Sequence, residues 1–305
     1  MKEHISVLLN ETIDLLDVKE GGTYIDGTLG RGGHTSEILK RLKNGKLYCF
    51  DLDSDAINKS KEYLKDYDNV TFIHDNYCHM NKYVDSVDGI ILDLGVSSPQ
   101  FDEAQRGFSY RFDGPLDMRM NKESELTAEK IVNEYSKEEL QKIFWNYGEE
   151  KFSGPIAKKI VEVRQEKRIT TTFELVEIIK SVLPQKILAK KGHPAKQVFQ
   201  ALRIAVNGEL DSLEYFLEHF PEIAKVGTRV VIITFHSLED RLVKQTFKSL
   251  STVKDDLNII KRPEEIEKPK WQLLNKHVVV ASEKELDENP RSKPAKLRGI
   301  EKVRD

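Results

Sequence analysis

A short apolar strand and a glycine-rich turn stand together in Thr23-Tyr24-Ile25-Asp26-Gly27-Thr28-Leu29-Gly30-Arg31-Gly32-Gly33-His34. The first three residues are typical of a buried strand, and a helix is predicted over 34–42. The glycines between them let the backbone turn tightly and approach a ligand closely. Their spacing, D-x-x-x-G-x-G-G, differs from the dinucleotide pattern G-x-G-x-x-G. A turn that serves only the fold is the alternative.

Strand and helix patterns alternate through the first hundred residues. Further strands are predicted at 46–50, 70–73 and 89–92, with a helix at 55–64. The last of these strands is apolar along its length, as expected of a strand covered on both faces. Strands and helices that alternate with short loops predict a parallel sheet with right-handed crossovers, and therefore a Rossmann-like α/β fold.

The pattern changes to helices alone between about residue 104 and residue 196. A capping box at Ser136-Lys137-Glu138-Glu139 begins one helix, and Thr172-Phe173-Glu174 begins another that ends near Val182. A long helix is predicted over 195–220. We therefore interpret the region as an all-helical segment placed inside an α/β domain.

Strand patterns return at 228–235 and 277–281. The simplest interpretation is one α/β domain made of two separate segments, 1–104 and 205–305. The segment 105–204 is then a helical insertion, which we predict to recognise the substrate.

Polar residues that follow the predicted strands form a candidate site, because ligands of open α/β sheets bind beyond the carboxyl ends of the strands. Asp51 follows the second strand, about twenty positions after the glycine turn, where a carboxylate accepts hydrogen bonds from ribose hydroxyls. Asp26 stands where S-adenosylmethionine sites commonly keep a carboxylate. Tyr77 follows the third strand and would lie against a purine, or would be a core tyrosine. The glycine turn and Asp51 imply an adenosine-type ligand.

The fourth strand ends in Asp93 and leads to Ser98-Pro99-Gln100-Phe101. Many enzymes that methylate the exocyclic amines of bases carry a polar-Pro-Pro-aromatic turn at this position, and this turn departs from that pattern by Gln at the third place. Proline stiffens the turn. Oxygen atoms near Ser98 and Pro99 can accept the hydrogens of an amine. An ordinary loop is the alternative.

Aromatic and polar residues alternate in Phe108-Ser109-Tyr110-Arg111-Phe112-Asp113. If this segment is extended, its aromatic rings point to one side. The rings then either fasten the loop to the core or offer a surface to an unstacked base.

Composition and charge narrow the class of protein. The chain has 305 residues, of which 39% are hydrophobic and 32% charged, and it has two cysteines. These values predict a globular protein of a reducing compartment, by default the cytoplasm, without a disulfide framework, a membrane span or a metal site. The net charge is −3, yet residues 151–210 carry 12 Lys and Arg against 5 Glu. This segregation indicates a surface that faces a polyanion, or a solvated lysine-rich face.

Taken together, these motifs resemble the bacterial 16S rRNA (cytosine(1402)-N(4))-methyltransferase family, and the resemblance covers nearly the whole chain. The matching runs are His4-Ile5-Ser6-Val7-Leu8-Leu9, Thr28-Leu29-Gly30-Arg31-Gly32-Gly33-His34, Asp93 to Gln100, Arg106-Gly107-Phe108-Ser109-Tyr110, His193-Pro194-Ala195-Lys196, Phe199 to Asn207, Phe235 to Arg241 and Asn289-Pro290-Arg291-Ser292.

The resemblance implies a class I S-adenosylmethionine-dependent methyltransferase that methylates N4 of a cytidine in the decoding region of the small ribosomal subunit. Ser98 and Pro99 would hold the target amine. The cofactor contacts it implies are Gly32, Gly33, His34, Asp51, Tyr77, Asp93 and Gln100. The partner would be 16S rRNA in the small subunit, with no membrane, and a homodimer is one open alternative. The cations we expect to face RNA are Lys158, Lys159, Arg164, Lys167, Arg168, Lys190, Lys191 and Lys196.

Other chemistries fit the sequence less well. Methylation at ring carbon 5 needs a cysteine nucleophile, which the Ser98 turn lacks. His236, Ser237 and Asp240 suggest a hydrolase triad, but Ser237-Leu238-Glu239-Asp240 is interpreted as a capping box that begins a helix. Two rivals stay open: a nicotinamide-dependent oxidoreductase, and a ribosome-assembly factor that binds RNA without catalysis. A third, a small-molecule methyltransferase, is disfavoured by the large basic insertion.

Overall fold

A computed structural model of the chain describes residues 6–253 and 268–305. His4 and Ile5, which begin the first matching motif, lie outside the described residues, as does most of the polar stretch 254–270. The chain divides into two compact units, one formed by residues 1–95 with 211–305 and the other by residues 96–210. No helix within the described ranges is both long and apolar enough to cross a membrane.

The first unit contains a seven-stranded sheet in the order β3-β2-β1-β4-β5-β7-β6. The strands are β1 (Thr23–Asp26), β2 (Lys46–Asp51), β3 (Val70–His74), β4 (Val87–Asp93), β5 (Ala224–Thr234), β6 (Trp271–Leu273) and β7 (Lys296–Lys302). The first five strands are parallel, and β7 pairs antiparallel with both β5 and β6. The Rossmann-like α/β fold predicted from the alternating patterns is confirmed.

Helices surround this sheet and make up the second unit. They are α1 (Leu9–Leu16), α2 (Gly33–Leu39), α3 (Ser54–Tyr63), α4 (Ser98–Asp102), α5 (Ala128–Glu134), α6 (Lys137–Gly148), α7 (Ser153–Glu166), α8 (Thr172–Val182), α9 (Gln185–Leu188), α10 (Lys196–Asn207), α11 (Glu209–His219), α12 (Ser237–Leu250) and α13 (Glu283–Glu288). Ser136 caps α6 and Thr171 caps α8, each in a capping box with the glutamate three residues later.

The sheet is buried on both faces. Successive residues of its central strands alternate between two apolar clusters, because side chains along a strand point to opposite faces. Ile90 and Ile232 belong to the cluster that includes Phe216 of α11. Ile91 belongs to the opposite cluster, which includes Ile38 of α2. Two covered faces explain why β4 is apolar along its length.

The second unit has a core of its own, made by facing residues of α5, α6, α7, α8 and α10. Its largest buried side chains include Phe144 and Phe199. The unit begins at residue 96, ahead of the predicted insertion 105–204, because Val96 and Phe101 already pack against this helical core. It extends to residue 210, because Val206 is still buried in the same cluster.

Three predicted elements differ from the structure. The single helix 195–220 is wrong: Gly208 takes φ +58° and separates α10 from α11. The strand predicted at 277–281 is wrong too. Within that range only Val279 forms a bridge, to Leu297, which lies in β7. The capping box of α12 begins one residue earlier than predicted, with His236 at the N-cap and Glu239 at its third position.

Candidate functional site

Three carboxylates stand at the carboxyl ends of neighbouring parallel strands in the first unit. Asp26 ends β1, Asp51 ends β2 and Asp93 ends β4. The strand register places Asp26 opposite Cys49 on one side and opposite Ile91 on the other. The tips of these strands therefore meet at one edge of the sheet, which is where an open α/β sheet binds its ligands.

Asp51 holds the glycine turn against the tip of β2. Its Oδ2 accepts a hydrogen bond from the Gly30 amide at 2.8 Å, and its Oδ1 accepts one from the Asp53 amide at 2.8 Å. Gly30 and Gly32 both have left-handed backbone, with φ +50° and +72°, which other residues rarely adopt. Burial raises the pKa of Asp51 to about 6, against the effect of these two hydrogen bonds.

Asp26 organises the same turn from the tip of β1. Its Oδ1 accepts a hydrogen bond from the Thr28 amide at 3.0 Å, and its Oδ2 accepts one from the Thr35 hydroxyl at 2.6 Å. Burial raises the pKa of Asp26, while the Thr35 hydrogen bond opposes that shift. Because both carboxylate oxygens are engaged inside the unit, Asp26 orders the loop that Asp51 also holds.

Asp93 is the carboxylate with a free oxygen. Its amide donates to the Thr28 hydroxyl at 2.6 Å, and its Oδ2 lies 3.7 Å from Nδ1 of His34. Its Oδ1 is buried and has no hydrogen-bond partner among the described residues. Burial raises the pKa of Asp93 well above its usual range, and the negative charges of Asp26 and Glu239 raise it further.

An unsatisfied buried carboxylate is costly, and its usual explanation is a ligand that brings donors or positive charge. S-adenosylmethionine offers both, in its ribose hydroxyls, its ammonium group and its sulfonium. The open Oδ1 of Asp93 and the left-handed glycine turn beside Asp51 therefore fit this cofactor.

His34 and Tyr77 belong to the same edge of the sheet. The His34 ring is buried and its Nε2 lies 3.1 Å from the Val7 carbonyl, so this side chain ties the glycine turn to the segment before α1. Tyr77 packs edge-to-face on Phe216 and lies beside Gly27, where a Cβ atom would meet Tyr77 Cβ at 2.9 Å. Gly33 packs so closely on Ser6 that a side chain would not fit there. Any ligand contact of Gly33 is therefore made by its backbone.

The Ser98 turn belongs to the second unit. Ser98 and Pro99 are the first two residues of α4 and are half-buried. Gln100 is buried, and its Oε1 accepts a hydrogen bond from the Ser97 amide at 3.0 Å, which closes the turn. Gln100 thus has a structural task in addition to the cofactor contact predicted for it, and that contact stays a prediction.

Thr28 and Thr35 are the site residues that the sequence analysis missed. The Thr28 hydroxyl accepts a hydrogen bond from the Asp93 amide, and the Thr35 hydroxyl donates one to the Asp26 carboxylate. Thr28 stands within the conspicuous turn, but its partner Asp93 is 65 residues away, so no local pattern predicts this contact. The partner of Thr35 is nine residues away and required the fold.

A Rossmann-like sheet with carboxylates at the tips of β1, β2 and β4 and a left-handed glycine turn defines an S-adenosylmethionine-dependent methyltransferase. Residues 1–303 match the MraW methylase family, and the chain belongs to that family. The expected cofactor, S-adenosylmethionine, agrees with this membership.

Two relatives illustrate the similarity. Ribosomal RNA small subunit methyltransferase H of Streptococcus mutans serotype c is 50% identical over 99% of this chain and 98% of its own length. The crystal structure of an rRNA methylase from Streptococcus thermophilus is 13% identical, covers 99% of each chain and has a TM-score of 0.43.

Proposed function

We propose that this chain methylates N4 of the cytidine at position 1402 of 16S rRNA, in the cytoplasm, on the small ribosomal subunit. A relative that shares half of its residues over nearly the full chain is a small-subunit rRNA methyltransferase, which supports ribosomal RNA as the substrate. The observation that carries the chemistry is the unsatisfied Oδ1 of Asp93, at the strand tip that precedes the Ser98 turn.

The proposed site residues have two roles: some would hold the cofactor, and others would orient the target amine. Asp51 and Asp93 would hold the cofactor, which supplies an electrophilic methyl group when bound. Oxygen atoms near Ser98 and Pro99 would accept the hydrogens of the target amine and set its direction. Orientation of this kind can lower a barrier by ~7–11 kcal/mol relative to a bimolecular encounter. No strong base is needed before the attack, since a methylated aminium loses its proton readily.

The two cysteines argue against methylation at ring carbon 5. That reaction needs a thiolate to add to the ring. Cys49 lies inside β2, and burial raises the pKa of its thiol well above the usual range. Burial also raises the pKa of Cys78. Both thiols are therefore poor nucleophiles at neutral pH, and N4 is the favoured acceptor.

Contacts to the RNA backbone are assigned to a smaller set of lysines than the sequence analysis suggested. Five of the eight expected cations are engaged within the second unit: Lys158 and Lys159 by Glu162, Arg164 by the Val132 carbonyl, Lys167 by Glu174, and Arg168 by Glu129 and Glu134. Lys190, Lys191 and Lys196 are exposed, and no carboxylate among the described residues lies in ion-pair range of them. These three lysines are the ones we assign to phosphate groups.

Mass spectrometry of rRNA nucleosides tests the proposal. Small subunits that lack the modification are incubated with the enzyme and isotopically labelled S-adenosylmethionine. We expect the label in N4-methylcytidine at position 1402. Label at carbon 5 would refute the acceptor atom, and an absence of label would favour the assembly-factor rival.

Variants of the strand-tip carboxylates separate cofactor binding from RNA binding. Asp51→Ala and Asp93→Ala should weaken the binding of S-adenosylhomocysteine in calorimetry and leave RNA binding close to wild type, because both residues lie in the first unit. Asp66→Ala, which removes a carboxylate from a loop of the same unit, is the matched control. Binding of NAD in place of S-adenosylhomocysteine would favour the oxidoreductase rival.

A further inference from the structure

Two segments of the second unit, 112–115 and 170–173, run side by side and are fastened by hydrogen bonds. The Thr172 hydroxyl donates to the Phe112 carbonyl at 2.8 Å and accepts from the Gly114 amide at 3.1 Å. The Thr172 amide donates to the Gly114 carbonyl at 2.9 Å, and Pro115 forms a β-bridge with Thr171. The Phe173 amide donates to Asp113 at 3.2 Å. These contacts tie the two segments to each other.

Each segment presents one exposed aromatic ring. Phe112 is 47% exposed and Phe173 is 43% exposed. Phe108, in the same stretch as Phe112, is buried in the helical core, and Tyr110 packs on His193 at 4.3 Å between ring centroids. Of the two alternatives for this stretch, fastening of the loop to the core therefore holds for Phe108 and Tyr110, and the chain turns at 110–111. Only the ring of Phe112 is left at the surface.

The segment that carries Phe112 also carries an exposed positive charge. Arg111 precedes Phe112, is exposed, and has no carboxylate in ion-pair range among the residues that the structure describes. Burial lowers the pKa of His193, and the charges of Lys180 and Arg111 lower it further. Aromatic rings beside cations suit a base with its phosphate better than an apolar peptide.

We propose that Phe112 and Phe173, with Arg111, form a stacking surface for an unpaired nucleotide of the RNA substrate that neighbours the target cytidine. The inference rests on the proposed function, since it takes RNA as the substrate. Every base offers a π-face, so the surface needs no particular sequence. It would hold the strand in its unpaired form and thereby favour a target base that has left its stack.

The position of the surface within its unit agrees with a neighbouring nucleotide. Gly114 packs so closely on the Ala104 carbonyl that a Cβ atom would come within 2.0 Å of its oxygen. Ala104 is the second residue after α4, and α4 begins with Ser98 and Pro99. The stacking surface is thus anchored next to the helix that carries the proposed acceptors for the target amine.

Fluorescence of 2-aminopurine, placed beside the target cytidine in a 16S rRNA transcript, tests the surface in the full-length enzyme with S-adenosylhomocysteine bound. Stacking on wild-type enzyme should quench the probe. Phe112→Ala and Phe173→Ala should abolish the quenching and raise the RNA Kd by ~5- to ~150-fold each. The salt dependence of binding should not change, because stacking releases no counterions.

Matched variants make the outcome specific. Phe112→Tyr keeps a ring and should restore both quenching and affinity. Trp145→Ala removes an aromatic side chain of the same unit that is 59% exposed, and it should bind RNA as the wild type does. Thermal unfolding followed by circular dichroism, with a transition like that of the wild type, shows that each variant is folded.

Two results would overturn the stacking surface alone. In the first, the alanine variants bind and quench like the wild type while the wild type methylates rRNA. In the second, they lose affinity for intact small subunits but not for the protein-free transcript, which would indicate a protein partner. A wild-type enzyme that neither binds nor methylates the rRNA would overturn the proposed function together with this inference.

Discussion

Asp51 is a carboxyl group that the ligand-free protein leaves partly protonated near neutral pH. Burial raises its pKa from 3.8 to about 6. Between these two values the folded protein holds a proton that the unfolded chain has released. The contribution of Asp51 to the free energy of unfolding therefore falls as the pH rises from about 4 through 6.

Binding of the cofactor should favour the ionised form of Asp51. Ribose hydroxyls that donate to Asp51 favour the carboxylate, so binding should lower the pKa of Asp51 and release a proton. We expect the affinity for S-adenosylhomocysteine to increase between pH 5 and 7, by at most about tenfold per pH unit below pH 6, and to level off above. Calorimetry in two buffers of different ionisation enthalpy measures the affinity and the released proton together.

Asp51→Asn is the control for this pH dependence. The amide cannot ionise, so its affinity should be weaker and nearly independent of pH in the same range. Because the pKa of Asp93 is also raised, a residual slope in Asp51→Asn would be assigned to Asp93 and should vanish in the double variant with Asp93→Asn. A wild-type affinity that is flat from pH 5 to 7 contradicts the ribose contact.

The secondary-structure elements show which parts of the fold the local sequence determines. Strands β1 to β5 follow from apolar runs, and the starts of α6 and α8 from their capping boxes. Strand β7 was missed because it is rich in charge. Its Lys296 and Arg298 pair with Asp240 of α12 at 2.9 and 2.8 Å. An interaction between residues more than fifty positions apart gives no local signal.

Thr172 is the residue whose loss should affect α8 and the neighbouring loop together. Thr172→Val keeps the shape of a buried side chain but removes the hydroxyl that bonds Phe112 and Gly114. We expect a loss of ~1–3 kcal/mol in the free energy of unfolding of the second unit and faster hydrogen exchange at the Gly114 amide. Thr170→Val, at an exposed position nearby, should change either quantity little. Unaltered exchange at Gly114 would contradict the role of this hydroxyl.

Across the whole molecule, ion pairs within the fold reduce the number of cations that the charge pattern leaves unpaired. The sequence shows a net excess of lysine and arginine over 151–210, but pairing partners such as Glu129 and Glu134 come from outside that range. The carboxylates at the strand tips were easier to predict, because strand order alone brings them together. The open Oδ1 of Asp93 could not be predicted, since it depends on which donors the folded chain leaves out.

Salt titration tests two of the lysines that we assign to phosphate groups, Lys190 and Lys191. If Lys190 and Lys191 each neutralise a phosphate, replacing both with alanine should lower the slope of log K against log salt by ~0.7–0.9 for each contact. Filter binding to the 16S rRNA transcript at several salt concentrations measures the slope. Lys142→Ala, an exposed lysine of α6, should leave it as in the wild type. A slope that the double variant shares with the wild type would remove these lysines from the interface.

The pairing of β4 with β5 has a consequence for biosynthesis. Both strands are central and apolar, yet the entire 96–210 unit is translated between them. Synthesis proceeds at ~5–20 residues per second, so one edge of β4 stays without its hydrogen-bonding partner β5 for on the order of ten seconds. Slower translation lengthens this interval, so we expect the yield of native enzyme to depend on chaperones that shield the edge during synthesis.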